Sequence, residues 1–346
     1  MRLLALAALL LMAAAPGDEP LPVHTGGRVV SQPDGSMRFG WPGIYFEARF
    51  KGAGVTAAIE TDTEFFSLLV DGVERARMGP ANKRVTIDGL APGEHRVRLE
   101  KLTESQWNSS RFLGFWPSPG GTALPAPPDR KERIEFIGDS HSVGYGDTSL
   151  SRACTKQEIH DTTNTQLAFG PLVAKAKGAE YRVIAYSGYG IVRNYNGGSP
   201  TDNLPKRYVR AIPGEDAAAN DGGWQPDWVV INLGTNDFST ALRPGEAWKT
   251  PAELHAAFRA GYAGFLRMLI AKYPKARFQL MSNPKWDEDL AAIEPALNKD
   301  AFIMVLATPV LELTGCDWHP SVLDQAAMAD KILDSMIKIG NVGLKP

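Results

Sequence analysis

Four short blocks of the chain carry residue types suited to acyl transfer. The first, Ile134-Glu135-Phe136-Ile137-Gly138-Asp139-Ser140-His141, is an apolar run that ends in glycine, aspartate and serine. A serine placed directly after a buried strand stands at the carboxyl edge of a sheet, open to substrate, with its backbone N–H aimed at charge developing on a carbonyl oxygen. Aspartate and serine are equally suited to capping a helix, so this block alone fits either role. It is not the nucleophile elbow of α/β-hydrolases, because Ser142 stands where that motif requires glycine. The second block, Tyr186-Ser187-Gly188-Tyr189-Gly190, offers the Gly188 N–H to an oxyanion. The third, Asn232-Leu233-Gly234-Thr235-Asn236-Asp237, offers the Asn236 side-chain amide to the same end. Taken singly, each is an ordinary loop sequence. The fourth, Cys316-Asp317-Trp318-His319-Pro320-Ser321, supplies an imidazole, the side chain best suited to accept a serine proton near neutral pH. Of the other histidines, His24 and His95 lie in a β-patterned region, His255 lies in a helical pattern, and His160 is a loop candidate. His141 adjoins the serine, which aims its ring elsewhere, so His319 is the better base.

These blocks need a scaffold, and the pattern of the chain changes to supply one. Val29 to Phe115 reads as short alternating runs, Ile44–Phe50, Val55–Ile59, Phe66–Val70, Arg84–Ile87 and His95–Leu99, separated by turn sequences such as Asp71-Gly72 and Ala91-Pro92-Gly93. Strands at this spacing without intervening helices predict a β-sandwich or jelly roll. Pro117 to Arg133 carries five prolines and reads as a linker. Beyond it, apolar runs at Arg133–Ile137, Arg182–Ala185, Trp228–Leu233, Phe278–Met281 and Ile303–Leu306 alternate with helical patterns at Asn164–Lys175, Ala252–Tyr273, Glu288–Asn298 and Ser321–Ile339. That order predicts a three-layer α/β/α domain with a parallel sheet, whose ligands gather beyond the carboxyl ends of its strands. The first three blocks fall there, and the fourth stands just before the last helix.

Composition narrows the function. The 346 residues include 37 Lys+Arg against 39 Asp+Glu, a net charge of −2, which gives no basic footprint for nucleic acid. Met1 and Arg2 precede the uncharged run Leu3–Met12 and the small residues Ala13-Ala14-Ala15, the pattern of a secretory signal peptide over residues 1–17, with the cut between Ala13 and Asp18. The apolar run is too short to span a bilayer, so no membrane partner is expected, and the mature chain belongs in the periplasm or the medium. Two cysteines, Cys154 and Cys316, either pair in that oxidising setting or stay as separate buried thiols. No metal-ligand spacing and no phosphate-binding glycine loop follow a strand, so no metal or other cofactor is expected.

In their order and placement, Gly138-Asp139-Ser140, Gly188, Gly234-Thr235-Asn236-Asp237 and Asp317 to His319 resemble the blocks of the SGNH (GDSL-like) hydrolase superfamily. The longer set, with Gly144-Tyr145-Gly146, Cys154-Thr155, Ala168-Phe169-Gly170, Ser187-Gly188-Tyr189-Gly190 and Cys316-Asp317-Trp318-His319-Pro320, looks like carbohydrate esterase family 2. That family places a jelly roll before its hydrolase domain, which implies a β-sandwich over residues 22–127 and an SGNH domain over 131–346. The resemblance implies Ser140 as nucleophile, His319 as general base, and the Ser140 amide, Gly188 amide and Asn236 side chain as oxyanion donors. It also implies cofactor-free removal of acetyl groups from polysaccharides such as xylan or glucomannan, with a bias toward the 6-O position. It favours the Cys154–Cys316 bridge. Asp139 anchors the turn, and Trp318 and Tyr189 are candidates to stack on a sugar ring.

One departure bears on mechanism. Most of the superfamily has aspartate three residues before the histidine, where this chain has Cys316. Two readings follow: Asp317, two residues before, orients the ring, or a backbone carbonyl does so in a Ser-His dyad. A lipase-like or thioesterase activity, or an inactive glycan-binding protein, are the alternatives to acetyl esterase.

Overall fold

The computed structural model describes residues 19–341, so the expected leader lies outside the described residues. Period-two alternation builds the N-terminal half from eleven strands: β1 (Val23–Gly26), β2 (Val30–Ser31), β3 (Met37–Phe39), β4 (Tyr45–Gly52), β5 (Val55–Glu60), β6 (Phe66–Val70), β7 (Val73–Met78), β8 (Arg84–Ile87), β9 (Gly93–Lys101), β10 (Ser110–Pro117) and β11 (Thr122–Ala123). They form two antiparallel sheets, ordered β1-β4-β9-β6-β7 with β11 also on β4, and β2-β3-β10-β5-β8. The sheets face each other across an aromatic core in which Phe46 of β4 stacks on Phe112 of β10 at 4.1 Å between centroids.

Alternate residues of β4 point the other way. Tyr45 packs on Tyr181 of the C-terminal half at 4.9 Å. Beside it Arg98 of β9 donates to Glu47 at 2.6 Å and to the Tyr181 hydroxyl at 3.0 Å. The outer face of this sheet is thus buried as well, which explains why Tyr45 to Ala48 is buried without a break.

The C-terminal half holds a parallel sheet of β12 (Arg133–Gly138), β13 (Glu180–Ala185), β14 (Trp228–Asn232), β15 (Arg277–Ser282) and β16 (Ile303–Ala307), in the order β13-β12-β14-β15-β16. Its helices are α1 (Ser140–Val143), α2 (Lys156–Thr162), α3 (Phe169–Lys177), α4 (Leu204–Tyr208), α5 (Thr235–Phe238), α6 (Pro251–Lys272), α7 (Asp287–Leu297) and α8 (Val322–Asn341). Ile134 and Phe136 pack with Val173 of α3 and Met328 of α8 on one face, while Ile137 and Ile231 pack with Phe258 and Leu266 of α6 on the other. This is the expected three-layer arrangement. Strand order reverses at β12, and there the carboxyl ends part to leave a crevice.

Several elements differ from the sequence expectation. The helix expected from Asn164 begins at Phe169, because Pro171 has no N–H and fits only a first turn, while Asn164 caps a separate 3₁₀ turn at Thr165–Leu167. Helix α2 was not expected, although Thr155 and Glu158 form a capping box with bonds of 2.7 and 3.2 Å. The proline-rich stretch is more than a spacer. It contributes β11, and its Arg130 donates two bonds to Glu47 at 2.8 and 2.9 Å.

A buried charge joins the halves. Glu135, fully buried in β12, accepts from the Tyr208 hydroxyl at 2.7 Å and the Tyr273 hydroxyl at 3.3 Å, and the Arg28 guanidinium from the N-terminal half lies 3.8 Å away. Arg28 also pairs with Asp221 at 3.1 Å and donates to the Tyr208 carbonyl. Removing one member of a buried pair leaves the other charge uncompensated. Arg28→Ala is therefore expected to lower the free energy of unfolding by about 3 kcal/mol or more. Urea denaturation measures this, and a midpoint equal to that of the parent would contradict it.

Candidate active site

Strand β12 ends at Gly138, where any side chain would collide with the turn that follows: a Cβ there would stand 1.9 Å from the Ser142 Oγ. The turn folds back because Asp139 caps α1, its Oδ1 accepting from the His141 N–H at 3.1 Å. The capping role falls to Asp139 and leaves Ser140 free as the first helical residue, whose N–H has no intrahelical acceptor. The capping reading of this block is met by Asp139.

His319 comes from the turn before α8. Its Nε2 lies 2.9 Å from the Ser140 Oγ, and its Nδ1 lies 2.9 Å from the Cys316 carbonyl and 3.1 Å from the Asp317 carbonyl. Carbonyl oxygens only accept, so Nδ1 carries the proton and Nε2 presents its lone pair to the serine hydroxyl. Of the two readings of how the ring is oriented, the geometry matches the second: the Cys316 and Asp317 carbonyls, not the Asp317 carboxylate, face Nδ1. The two-residue offset puts Asp317 and Trp318 in left-handed backbone at φ +51 and +61, which turns their carboxylate and indole outward while the carbonyls point at the ring. Burial, with the Asp317 carboxylate facing it, pushes the Tyr145 hydroxyl up to about 12. Tyr145 in turn packs on His319 at 4.3 Å between centroids.

The turn is braced from several sides. Cys154 and Cys316 are disulfide-bonded across 162 residues. The Asp317 N–H donates to the Arg152 carbonyl at 2.7 Å, and the Arg152 guanidinium lies over the Trp318 ring at 4.1 Å. Asp324 accepts from the N–H groups of Glu312, Leu313 and Ser321.

Opposite the serine, Gly188 has φ +84 with nothing within 4 Å of its Cβ position, so backbone conformation rather than space requires glycine. Its N–H makes no hydrogen bond among the described residues. Asn236 reaches the cleft with its Nδ2 donating to Asp139 Oδ2 at 3.1 Å and to the Tyr189 carbonyl at 2.9 Å. Asp237 accepts from three successive amides, those of Ile191, Val192 and Arg193, and so holds the loop beyond Gly188. Burial pushes Asp139 up to about 7, with the neighbouring Asp237 charge adding to it.

Ser140, Gly188, Asn236, Trp318 and His319 thus line one cleft of about 610 Å³. Tyr189 does not. It is 7% exposed, packed edge-on against Tyr186, with its hydroxyl accepting from Arg207 at 3.1 Å. The aromatic residue presented from that loop is Tyr195, 56% exposed at the cleft, which no motif had marked. A serine with an aligned base, a free backbone donor and a solvent-open cleft is the equipment of acyl transfer.

Residues 25–127 match the family described as carbohydrate esterase 2 N-terminal, and residues 136–301 match the GDSL-like lipase/acylhydrolase family. A protein of Cellvibrio japonicus named acetylxylan esterase / glucomannan deacetylase is 44% identical over 92% of each chain. The chain belongs to carbohydrate esterase family 2. Solved members agree in structure: a carbohydrate esterase described as having divergent catalytic and non-catalytic binding functions at its active site superposes with TM-score 0.86, at 42% identity over 92% of this chain and 98% of that one. A family two esterase of Clostridium thermocellum, solved with cellohexaose, gives 0.78 at 26% identity, over 92% and 99% of the two chains. Membership makes the chain a carboxylic ester hydrolase.

Tertiary structure also gathers His24, Asp129 and Glu180 of the esterase into one group of potential metal ligands. Arg133 lies 3.1 Å from Asp129 and 3.9 Å from Glu180, and its charge opposes a cation there.

In this esterase, burial lowers the His319 pKa below the ordinary value of 6.5, against the opposing pull of the two carbonyls and the Asp317 charge. The unprotonated ring is the form that accepts a proton, so kcat/KM is expected to hold down through pH 6.5 and to fall only below it. Stability follows the same sign: the unfolded chain binds this proton more tightly, so stability present above pH 6.5 is lost as pH drops toward the folded pKa. A pH–rate profile with its acid midpoint at or above 6.5 would contradict the assignment. Asp317→Asn is expected to cost less than about tenfold in kcat, against the ~10⁴-fold loss that follows when a triad aspartate is neutralised.

Proposed function

We propose that the chain is an exported esterase that removes O-acetyl groups from plant-type polysaccharide, acetylated xylan or glucomannan, through an acetyl-enzyme on Ser140. The relative that is 44% identical carries both activities in its name, and the run over residues 1–17 has the form of a secretory leader. The observation that carries the mechanism is the 2.9 Å contact between His319 Nε2 and Ser140 Oγ, with Nδ1 held by carbonyls.

The serine oxygen attacks the acetyl carbonyl carbon while its proton passes to His319 Nε2. Negative charge gathers on the former carbonyl oxygen, which the Ser140 and Gly188 amides and the Asn236 side chain stabilise. Both Asn236 protons already have acceptors, so its donation is a third, bifurcated arm. The tetrahedral adduct expels the sugar alkoxide, which takes the proton from the imidazolium. Water then attacks the acetyl-serine, gives its proton to Nε2, and acetate leaves as Ser140 regains its hydrogen. The imidazolium formed transiently is stabilised by two carbonyl dipoles rather than by a carboxylate in contact.

Trp318 and Tyr195 stand exposed at the cleft and supply flat faces for sugar rings, with Trp318 held in place by Arg152. The resemblance to the family implies a preference for acetyl groups at the primary 6-O position.

Acetate release from acetylated xylan, acetylated glucomannan and nitrophenyl esters of rising chain length tests this reading. Ser140→Ala and His319→Ala are expected to lose at least about 10³-fold in kcat, and acetyl esters are expected to be cleaved faster than butyryl or longer ones. An active Ser140→Ala, or a preference for long acyl chains, would overturn it.

A further inference from the structure

The N-terminal half reaches into the cleft through the segment between β9 and β10. There the Gln106 side chain Nε2 donates to the Ser187 carbonyl at 2.9 Å, and Glu104 Oε1 accepts from the Ser187 N–H at 2.8 Å. The Tyr186 hydroxyl closes the contact by donating to the Gln106 carbonyl at 3.1 Å. Ser187 is thus gripped at both backbone polar groups by side chains more than 80 residues away in sequence.

The turn containing Ser187 makes this grip consequential. The Tyr189 N–H donates to the Tyr186 carbonyl at 3.2 Å, and Gly188, third in the turn, has φ +84, which is a type II β-turn. Type II and type I turns differ by rotation of the central peptide, here Ser187–Gly188, through roughly 180°. In a trans peptide the carbonyl and the N–H point in opposite directions. Whatever holds the Ser187 carbonyl on the N-terminal side therefore holds the Gly188 N–H on the cleft side. The Tyr195 N–H donates to the Gly188 carbonyl at 2.8 Å, which pins the next peptide but not this one.

We infer that Gln106 is a positioning residue for ester hydrolysis: its bond to the Ser187 carbonyl locks the Ser187–Gly188 peptide in the type II orientation that presents the Gly188 N–H to the oxyanion, with Glu104 fixing the preceding N–H. The bond also draws electron density toward the Ser187 oxygen, which strengthens the Gly188 N–H as a donor. The β-sandwich is in consequence a working part of the catalytic centre. The inference rests on the acyl-transfer reading given above, in which Gly188 serves the oxyanion.

Gln106→Leu keeps most of the bulk of the side chain and removes the donor, while Gln106→Lys keeps a donor in reach of the carbonyl. Acetyl ester hydrolysis by the whole protein is expected to lose about ten- to a hundredfold in kcat in Gln106→Leu, less than the 10²–10³-fold seen when a donor itself is deleted, with KM within about twofold. Inactivation by an organophosphonate, which forms a tetrahedral adduct with its own oxyanion, should slow by a similar factor. Gln106→Lys should recover most of both rates, and thermal melting should be unchanged in both variants. Unaltered kcat in Gln106→Leu, a loss confined to KM, a loss that tracks a fallen melting temperature, or no recovery in Gln106→Lys would each overturn the inference. Ser140→Ala run alongside separates the two levels. If it stays active, the acyl-transfer reading itself has failed, whereas a dead Ser140→Ala beside a fully active Gln106→Leu removes only the clamp.

Discussion

The proton on His319 Nδ1 is shared between two main-chain carbonyls, and the geometry of the whole cleft depends on that arrangement. A carboxylate partner positions an imidazole through one rotatable side chain and brings a charge that must be desolvated. Carbonyls bring no net charge, but they hold the ring only while the turn that carries them keeps its shape. This turn has two successive non-glycine residues in left-handed backbone, Asp317 and Trp318, a conformation that costs of order 1–3 kcal/mol per residue and persists only where surrounding contacts impose it. The contacts are visible on every side: the Cys154–Cys316 disulfide, the Arg152 carbonyl and guanidinium, the Gly315–His319 backbone bond and the three amides gathered by Asp324. The position occupied by an acid in much of the superfamily is used here for a covalent anchor.

The two halves of the chain are coupled as closely as the layers within either. One hydrophobic cluster runs from Phe46 and Phe112 in the sandwich to Ile137 and Phe258 in the α/β half. Polar contacts follow it: Arg98 to Tyr181, Arg130 to Glu47, and Arg28 to Glu135 and Asp221. Buried ion pairs of this kind add little net stability over well-packed apolar groups but penalise any misplacement severely, because a lone buried charge is costly. They therefore set the docking geometry of the sandwich. That geometry brings the β9–β10 segment onto Ser187.

On the opposite wall, acidic groups organise backbone donors without touching substrate. Asp139 caps α1 and receives Asn236, and Asp237 collects three amides behind Gly188. Packed together out of water, these carboxyls have raised pKa values, with Asp139 at about 7 and Asp237 at about 6. Their role is to fix where N–H groups point. The preorganisation of the cleft is built from such bonds rather than from an excess of positive charge.

Local sequence determined a great deal. Alternation in β4, β5, β6, β8 and β9, the apolar runs of β12 to β16, and the glycine and asparagine after successive parallel strands follow from periodicity and turn chemistry, which act between neighbours in the chain. The rule that parallel strands open toward ligand at their carboxyl ends was enough to bring Ser140, Gly188 and Asn236 to one place. What local sequence could not decide was direction. Whether Asp317 or its carbonyl faces His319 depends on two backbone torsions imposed by a disulfide partner 162 residues away. Tyr189 and Tyr195 are equally aromatic and equally near Gly188, yet Arg207 and Tyr186 draw the first inward and leave the second at the cleft. Gln106 sits in a segment with no motif at all. Its importance comes from the docking of one half on the other, which is a property of the packed tertiary structure, where residues distant in sequence meet and only their combined geometry fixes which group points where.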